Sequence, residues 1–244
     1  MELPTKKSPA KTKNAGKILI YSMPKTGKTE LLTLLENNLI IDLEGGTRMF
    51  ESMTIEANTA KELYAIIEML RAKKEELKSL PYKFITLDTA TALETIVNGL
   101  AIAMYKQTPM GKNYNGKDIT TLPNGAGYQW IRKAFMKVID DFSEFCETLI
   151  LTAHLKDKYI DKNGEVVSSK DIDLQGKLKS IVCANMDAIG YLYRKEENEN
   201  WLSFKTSEDI ISGARPVHLS NKEFKISVKD EKNNLEVFWD KIFV

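Results

Sequence analysis

Four short apolar runs, each closing on a polar residue, limit what this chain can become. They are "KILIY" (17–21) before Ser22, "LIIDL" (39–43) before Glu44, "FITLD" (84–88) ending on Asp88, and "TLILTA" (148–153) before His154. Such runs bury both faces of a strand, which is the habit of parallel sheets covered by helices. Helical stretches fall between them at 28–36, 60–78, 90–106 and 128–146, the second with Leu63, Ile66, Ile67 and Leu70 at helical spacing. Strands alternating with helices predict an α/β fold: a mostly parallel central sheet with helices on both faces. Ligands of such sheets bind at the carboxyl ends of the strands. Further strands at 187–193 and 201–204, and a late apolar stretch at 235–239, predict a small C-terminal β addition.

Two segments interrupt the alternation. Residues 107–127 are dominated by Pro, Gly, Asn and Thr, and a loop of that length is usually functional or disordered. Residues 156–172 read as a hairpin turning at Lys162-Asn163-Gly164.

With 244 residues, 43% of them hydrophobic, the chain can bury one large core. The expected division is a flexible basic arm over 1–16, with Lys6, Lys7, Lys11 and Lys13, a core over 17–215, and an extension over 216–244 packed on it. A net charge of +1 gives no whole-molecule attraction for nucleic acid or membrane, so any such contact must come from local patches. Cys146 and Cys183 are far apart and outside any C-x-x-C pattern, which suits small core residues in a reducing compartment. No apolar run approaches the ~18 to 20 residues of a membrane span, and no signal peptide is evident. A cytoplasmic protein without membrane contact is expected.

The first run leads into "SMPKTGKTE" (22–30) and then a leucine-rich stretch. This is nearly Gly-x-x-x-x-Gly-Lys-Ser/Thr in the strand–loop–helix setting that the phosphate-binding motif requires. Ser22, Met23, Pro24, Lys25, Thr26, Gly27, Lys28, Thr29 and Glu30 are the expected ATP-binding residues. Lys28 would reach the terminal phosphates, and the Thr29 hydroxyl would bind Mg²⁺. Ser22 departs from the motif: glycine there permits a positive φ that serine adopts only at a cost of roughly 1 kcal/mol or more, unless the loop turns in an ordinary conformation.

Acids are then expected at neighbouring strand tips. Asp88 fits a Mg²⁺ ligand, or the N-cap of the next helix, and both roles can coexist. Glu44 could deprotonate an attacking water, or be a solvated loop acid. His154, one of two histidines, could hydrogen-bond a γ-phosphate from the tip of its strand.

Taken together, "SMPKTGKT", "IIDLEGG", "FITLDTATAL" and "LILTAH" resemble the RecA superfamily of P-loop ATPases, and within it the short phage-encoded RecA-like ATP-binding proteins linked to single-strand annealing and recombination. RecA has glutamine at the place of His154. "NMDAIGYLYR" (185–194) is similar to the Asp-led strand that follows in RecA and DnaB-type proteins. The resemblance implies ATP and Mg²⁺ as cofactors, and a sheet with the His154 strand inserted between the loop strand and the Asp88 strand. It also implies a homo-oligomer, ring or filament, in the bacterial host cytoplasm. Single-stranded DNA would be bound by the loops after the Asp88 and His154 strands, here Lys112, Tyr114 and Lys117, and Lys156 and Lys158. In DnaB-like relatives a Lys-x-Arg pair reaches the neighbour's nucleotide. Lys205 stands in the lysine place, Ser207 in the arginine place, and Arg215 is the nearest arginine downstream. Two other readings remain open: a nucleotide switch acting on protein partners in the manner of a helicase loader, with other phage replication or recombination proteins as partners, and a small-molecule phosphotransferase, for which no arginine-rich lid is visible.

Overall fold

The computed structural model describes the backbone of every residue except 1, 2, 4, 163, 164, 208 and 233, and side chains apart from those of 158–168 as well. A central sheet carries the fold. Its main path runs β11 (Leu235–Val237), β10 (Glu223–Lys229), β8 (Glu199–Ser203), β7 (Ala188–Glu196), β1 (Lys17–Ser22), β5 (Cys146–Lys162), β4 (Tyr82–Asp88), β2 (Asn38–Asp42), β3 (Thr54–Glu56). From β7 to β3 the pairings are parallel, and from β7 outward to β11 they are antiparallel. The His154 strand, β5, lies between β1 and β4, as the resemblance implied.

Ile18, Leu19, Ile20, Ile85, Leu87, Ile150 and Leu151 are almost wholly shielded from solvent, so these strands are buried on both faces. One face packs on α2 (Ala60–Leu77), α3 (Ala90–Ile96), α4 (Asn98–Lys106) and α5 (Ala126–Ser143), through Leu63, Ile67, Leu93, Phe135 and Phe142. The other packs on α1 (Lys28–Thr33) and the C-terminal segment, through Leu31, Leu32, Trp239 and Ile242. Thr59 and Glu62 close a capping box at the start of α2, which fixes where that helix begins.

Several expected bounds move. The helix expected at 28–36 stops at Thr33, and the stretch 90–106 divides at Val97 into α3 and α4. The long hairpin is present as the end of β5 paired with β6 (Glu165–Ile172), and its turn at Asn163-Gly164 lies outside the described residues. Residues 107–127 are not an open loop. Two 3-10 turns sit at Ile119–Thr121 and Pro123–Gly125, and Ile119 is fully buried. The segment approaches α5 so closely that a Cβ on Gly127 would lie 1.9 Å from the Ile119 carbonyl oxygen. The arm, too, ends earlier than position 16: Asn14 bonds the Val244 backbone, and Ala15 is buried with its carbonyl accepting the Thr148 hydroxyl.

At the amino ends of the parallel strands, Asp187 accepts hydrogen bonds from the backbone N–H groups of Gly16 and Lys17, at 2.9 and 3.1 Å, and pairs with Arg215 at 2.8 Å. The phosphate loop lies at the other end of β1. Asp187→Ala should therefore lower unfolding stability by about 1–2 kcal/mol through orphaned donors, measured by urea titration, and leave nucleotide affinity unchanged by calorimetry.

Candidate nucleotide site

Strand register assembles the site. Ser22 pairs with His154 across β1–β5, Leu87 with Leu151 across β4–β5, and Asp42 with Asp88 across β2–β4. The polar residues that close the four apolar runs therefore meet at one edge of the sheet. Glu44, Asp88 and His154 line a cavity of about 360 Å³ together with Lys25, Gly27, Lys28, Thr29, Glu30, Gly46, Phe50 and Thr89.

The loop resolves the question raised by Ser22. Ser22 is the last residue of β1, so it needs no positive φ; the left-handed positions are Lys25 (φ 62°) and Gly27 (φ 100°). Gly27 is where the chain turns into α1, with no side chain between backbone and cavity. Ser22 has a different task. Its fully buried hydroxyl donates to the Met23 carbonyl and accepts from Lys28 Nζ at 2.8 Å. Lys28 is itself buried, and burial holds its pKa below the ordinary lysine value against the pull of Asp88 and Glu44. Of the other expected loop residues, Met23, Pro24 and Lys25 are exposed, the Thr26 hydroxyl bonds the Met23 carbonyl at 2.8 Å, and Glu30 pairs with Lys229 at 3.4 Å.

Thr29 and Asp88 meet: the Thr29 hydroxyl donates to Asp88 Oδ2 at 2.8 Å, and Thr152 holds Asp88 Oδ1. Burial raises the Asp88 pKa, opposed by the hydrogen bonds from Thr152 and Thr29 and by Lys28. The helix cap falls to Thr89, whose side chain accepts the Ala92 N–H. Asp88 is thereby left to the cavity. A hydroxyl and a carboxylate side by side are hard oxygen donors, a set suited to Mg²⁺.

Glu44 and His154 also come together. Glu44 Oε1 accepts the Thr89 hydroxyl at 2.6 Å, and His154 Nε2 lies 3.2 Å from Glu44 Oε2. His154 Nδ1 is buried with no hydrogen-bond partner among the described residues. Nε2 is the nitrogen engaged with Glu44, so in this arrangement the imidazole orients the carboxylate.

Sequence reasoning missed Asp42. It is buried and collects the N–H groups of Glu44, Gly45, Gly46 and Thr47 together with the Thr47 hydroxyl, at 2.7–3.1 Å. Burial raises its pKa, but the hydrogen bonds from Thr47, Glu44 and Gly46 outweigh that and hold it below the ordinary aspartate value. The signal was present in "DLEGGT": an acid followed by glycines and a threonine is a turn in which a side chain can gather backbone donors.

The other expected residues do not line the cavity. Lys205 pairs with Glu223 at 3.0 Å, and Arg215 is held by Asp187 and the Ala184 carbonyl. Tyr114 is half-buried, its ring 5.5 Å from that of Tyr105 and its hydroxyl donating to the Asp118 carbonyl, so part of the ring is already packed. Lys112 and Lys117 are exposed beside it. Lys156 is exposed and pairs with Asp173 at 3.4 Å; the Lys158 side chain lies outside the described residues.

A glycine–lysine–threonine loop between a buried strand and a helix, with an aspartate and a glutamate on neighbouring parallel strands, defines a P-loop nucleoside triphosphatase. A family model described as an AAA domain matches residues 14–216, and the chain belongs to that family. The family carries nucleotide binding and ATPase activity. No curated protein matches the chain significantly.

Asp42→Asn places an amide NH₂ among backbone donors and should displace Glu44. Turnover should fall by about 10²-fold, the scale of a 1 Å misplacement, with ATP affinity retained. The lowered Asp42 pKa also gives a sign for pH: its stabilisation is full above the unfolded pKa of about 3.9 and is lost as pH falls through the lower folded value. Urea titrations in acid should show that loss in the wild type and not in Asp42→Asn.

Proposed function

We propose that the chain is a Mg²⁺-dependent ATPase acting on single-stranded DNA in phage recombination, annealing or replication. The observation that carries the catalytic half is the Glu44 carboxylate, held by Thr89 and His154 in the same cavity as Lys28, Thr29 and Asp88. In this reading Lys28 neutralises the terminal phosphates, Thr29 and Asp88 hold the metal, and Glu44 accepts a proton from the attacking water.

The DNA half rests on a groove, and the packing of Tyr114 moves it from where the sequence suggested. Two adjoining cavities, of about 340 and 440 Å³, share Tyr128 and Gln175, and Arg132 and Lys177 line the second. Tyr128 is 44% exposed. An exposed ring beside two cations suits a single strand, whose bases stack and whose phosphates pair. A physical route joins this groove to the nucleotide. The Gln175 N–H donates to Glu94 on α3, Thr91 of α3 donates to the Asp173 carbonyl, and Thr89, the cap of α3, holds Glu44.

A second reading, a nucleotide switch for protein partners or further copies of this chain, is favoured by one observation. Met23, Met49, Phe50 and Met53, on the two loops that shape the cavity, are exposed. Apolar side chains so placed suit a docked protein surface. ATP turnover with and without single-stranded DNA separates the readings: stimulation supports the first, and none supports the second.

Glu44→Gln should keep ATP affinity and lose about 10²- to 10⁴-fold in turnover, since an amide accepts no proton; wild-type turnover would return Glu44 to an ordinary loop acid. Replacing Tyr128, Arg132 and Lys177 together by alanine should weaken single-stranded DNA binding and flatten its salt dependence, because phosphate contacts release counterions. Filter binding across a salt series reads both.

A further inference from the structure

α1 is only six residues long, yet it carries Lys28 and Thr29. A helix this short has little stability of its own and leaves its last carbonyls without helical partners. Side chains from outside the helix bond two of them, of which the Leu32 carbonyl also accepts the Leu35 N–H. Asn38 Nδ2 donates to the Leu32 carbonyl at 2.9 Å, and Trp239 Nε1 donates to the Leu31 carbonyl at 3.0 Å, both buried. Trp239 is 208 positions from Leu31 along the chain and lies beyond residue 216, where the family match ends.

The C-terminal segment is fixed in its turn. The Phe238 N–H donates to the Ile226 carbonyl on β10, and the Trp239 ring packs 5.9 Å from Phe243, itself 4.5 Å from Phe84 on β4. Lys229 of β10 pairs with Glu30 on the same helix. The strands β4 and β10 thus hold Trp239, and Trp239 holds α1 one turn below Lys28.

We infer that Trp239 is a positioning residue for the nucleotide site: its indole N–H fixes α1 so that Lys28 and Thr29 stay in register with Ser22 and Asp88. This rests on the reading of the Lys28 loop as the nucleotide cradle. The physical reason is the geometry of the contacts. Lys28–Ser22 and Thr29–Asp88 are both 2.8 Å, and a small slide of α1 breaks both. Among the described residues, Trp239 is the only side chain bonded to the Leu31 carbonyl.

Trp239→Phe in the full chain keeps an aromatic ring and removes the donor. Calorimetry with Mg²⁺ and ATP should show affinity weakened about 2- to 12-fold, the equivalent of one net hydrogen bond of about 0.5–1.5 kcal/mol. A purely structural role would lower the urea midpoint and leave affinity unchanged, and that outcome overturns the inference. Reciprocity supplies a second measurement on the wild type, independent of how well the variant folds: if Trp239 senses the site, bound nucleotide must tighten its surroundings. Saturating Mg²⁺ and ATP should slow hydrogen exchange of the Trp239 indole and of the amides of Phe238 and Ile242. Unchanged exchange there, with ATP bound, overturns the inference while leaving the cradle intact. No ATP binding by the wild type overturns both.

Discussion

Ser22 opposite His154, Leu87 opposite Leu151 and Asp42 opposite Asp88 are the register points on which the molecule depends. Side chains alternate along a strand, so a slip of one residue would turn Asp88 away from Thr29 and put the polar tips of neighbouring strands out of step. Four strands buried on both sides cannot slip cheaply. The apolar runs that make the core therefore also aim the polar residues at their tips.

Those tips create an electrostatic problem. Burial pushes Lys28 and Asp88 each towards its neutral form, Lys28 downward and Asp88 upward. The charges of Asp88 and Glu44 oppose the shift at Lys28, and the hydrogen bonds from Thr152 and Thr29 oppose it at Asp88. A ligand that brings phosphate oxygens to the lysine and a divalent cation to the carboxylate would compensate both at once. Asp42 solves a different problem by collecting four successive backbone donors, and it is charged because so many donors converge on it.

Much of this arrangement was legible in the chain itself. The strands β1, β2, β4 and β5 show as predominantly apolar runs, and the loop shows as a spaced motif at the end of the first. Glu44, Asp88 and His154 stood out because each follows an apolar run directly. The breaks at Thr33 and Val97 were not legible. Local propensity continues through both; at the first, the side chains of Asn38 and Trp239 take carbonyls of the last turn. Tyr114 looked like a free aromatic among cations because sequence cannot show that its ring packs edge-on against Tyr105.

What the sequence determined by itself is the alternation of buried strands and helices, and the order of the chemistry along it, since hydrophobic period and loop motifs are local properties. The tertiary structure decided which distant groups meet. His154 lies 110 positions from Glu44, and Trp239 lies 208 from Leu31. Contacts at such separations carry no local signature. They follow from strand order and register, which the buried core fixes only when the whole sheet has closed.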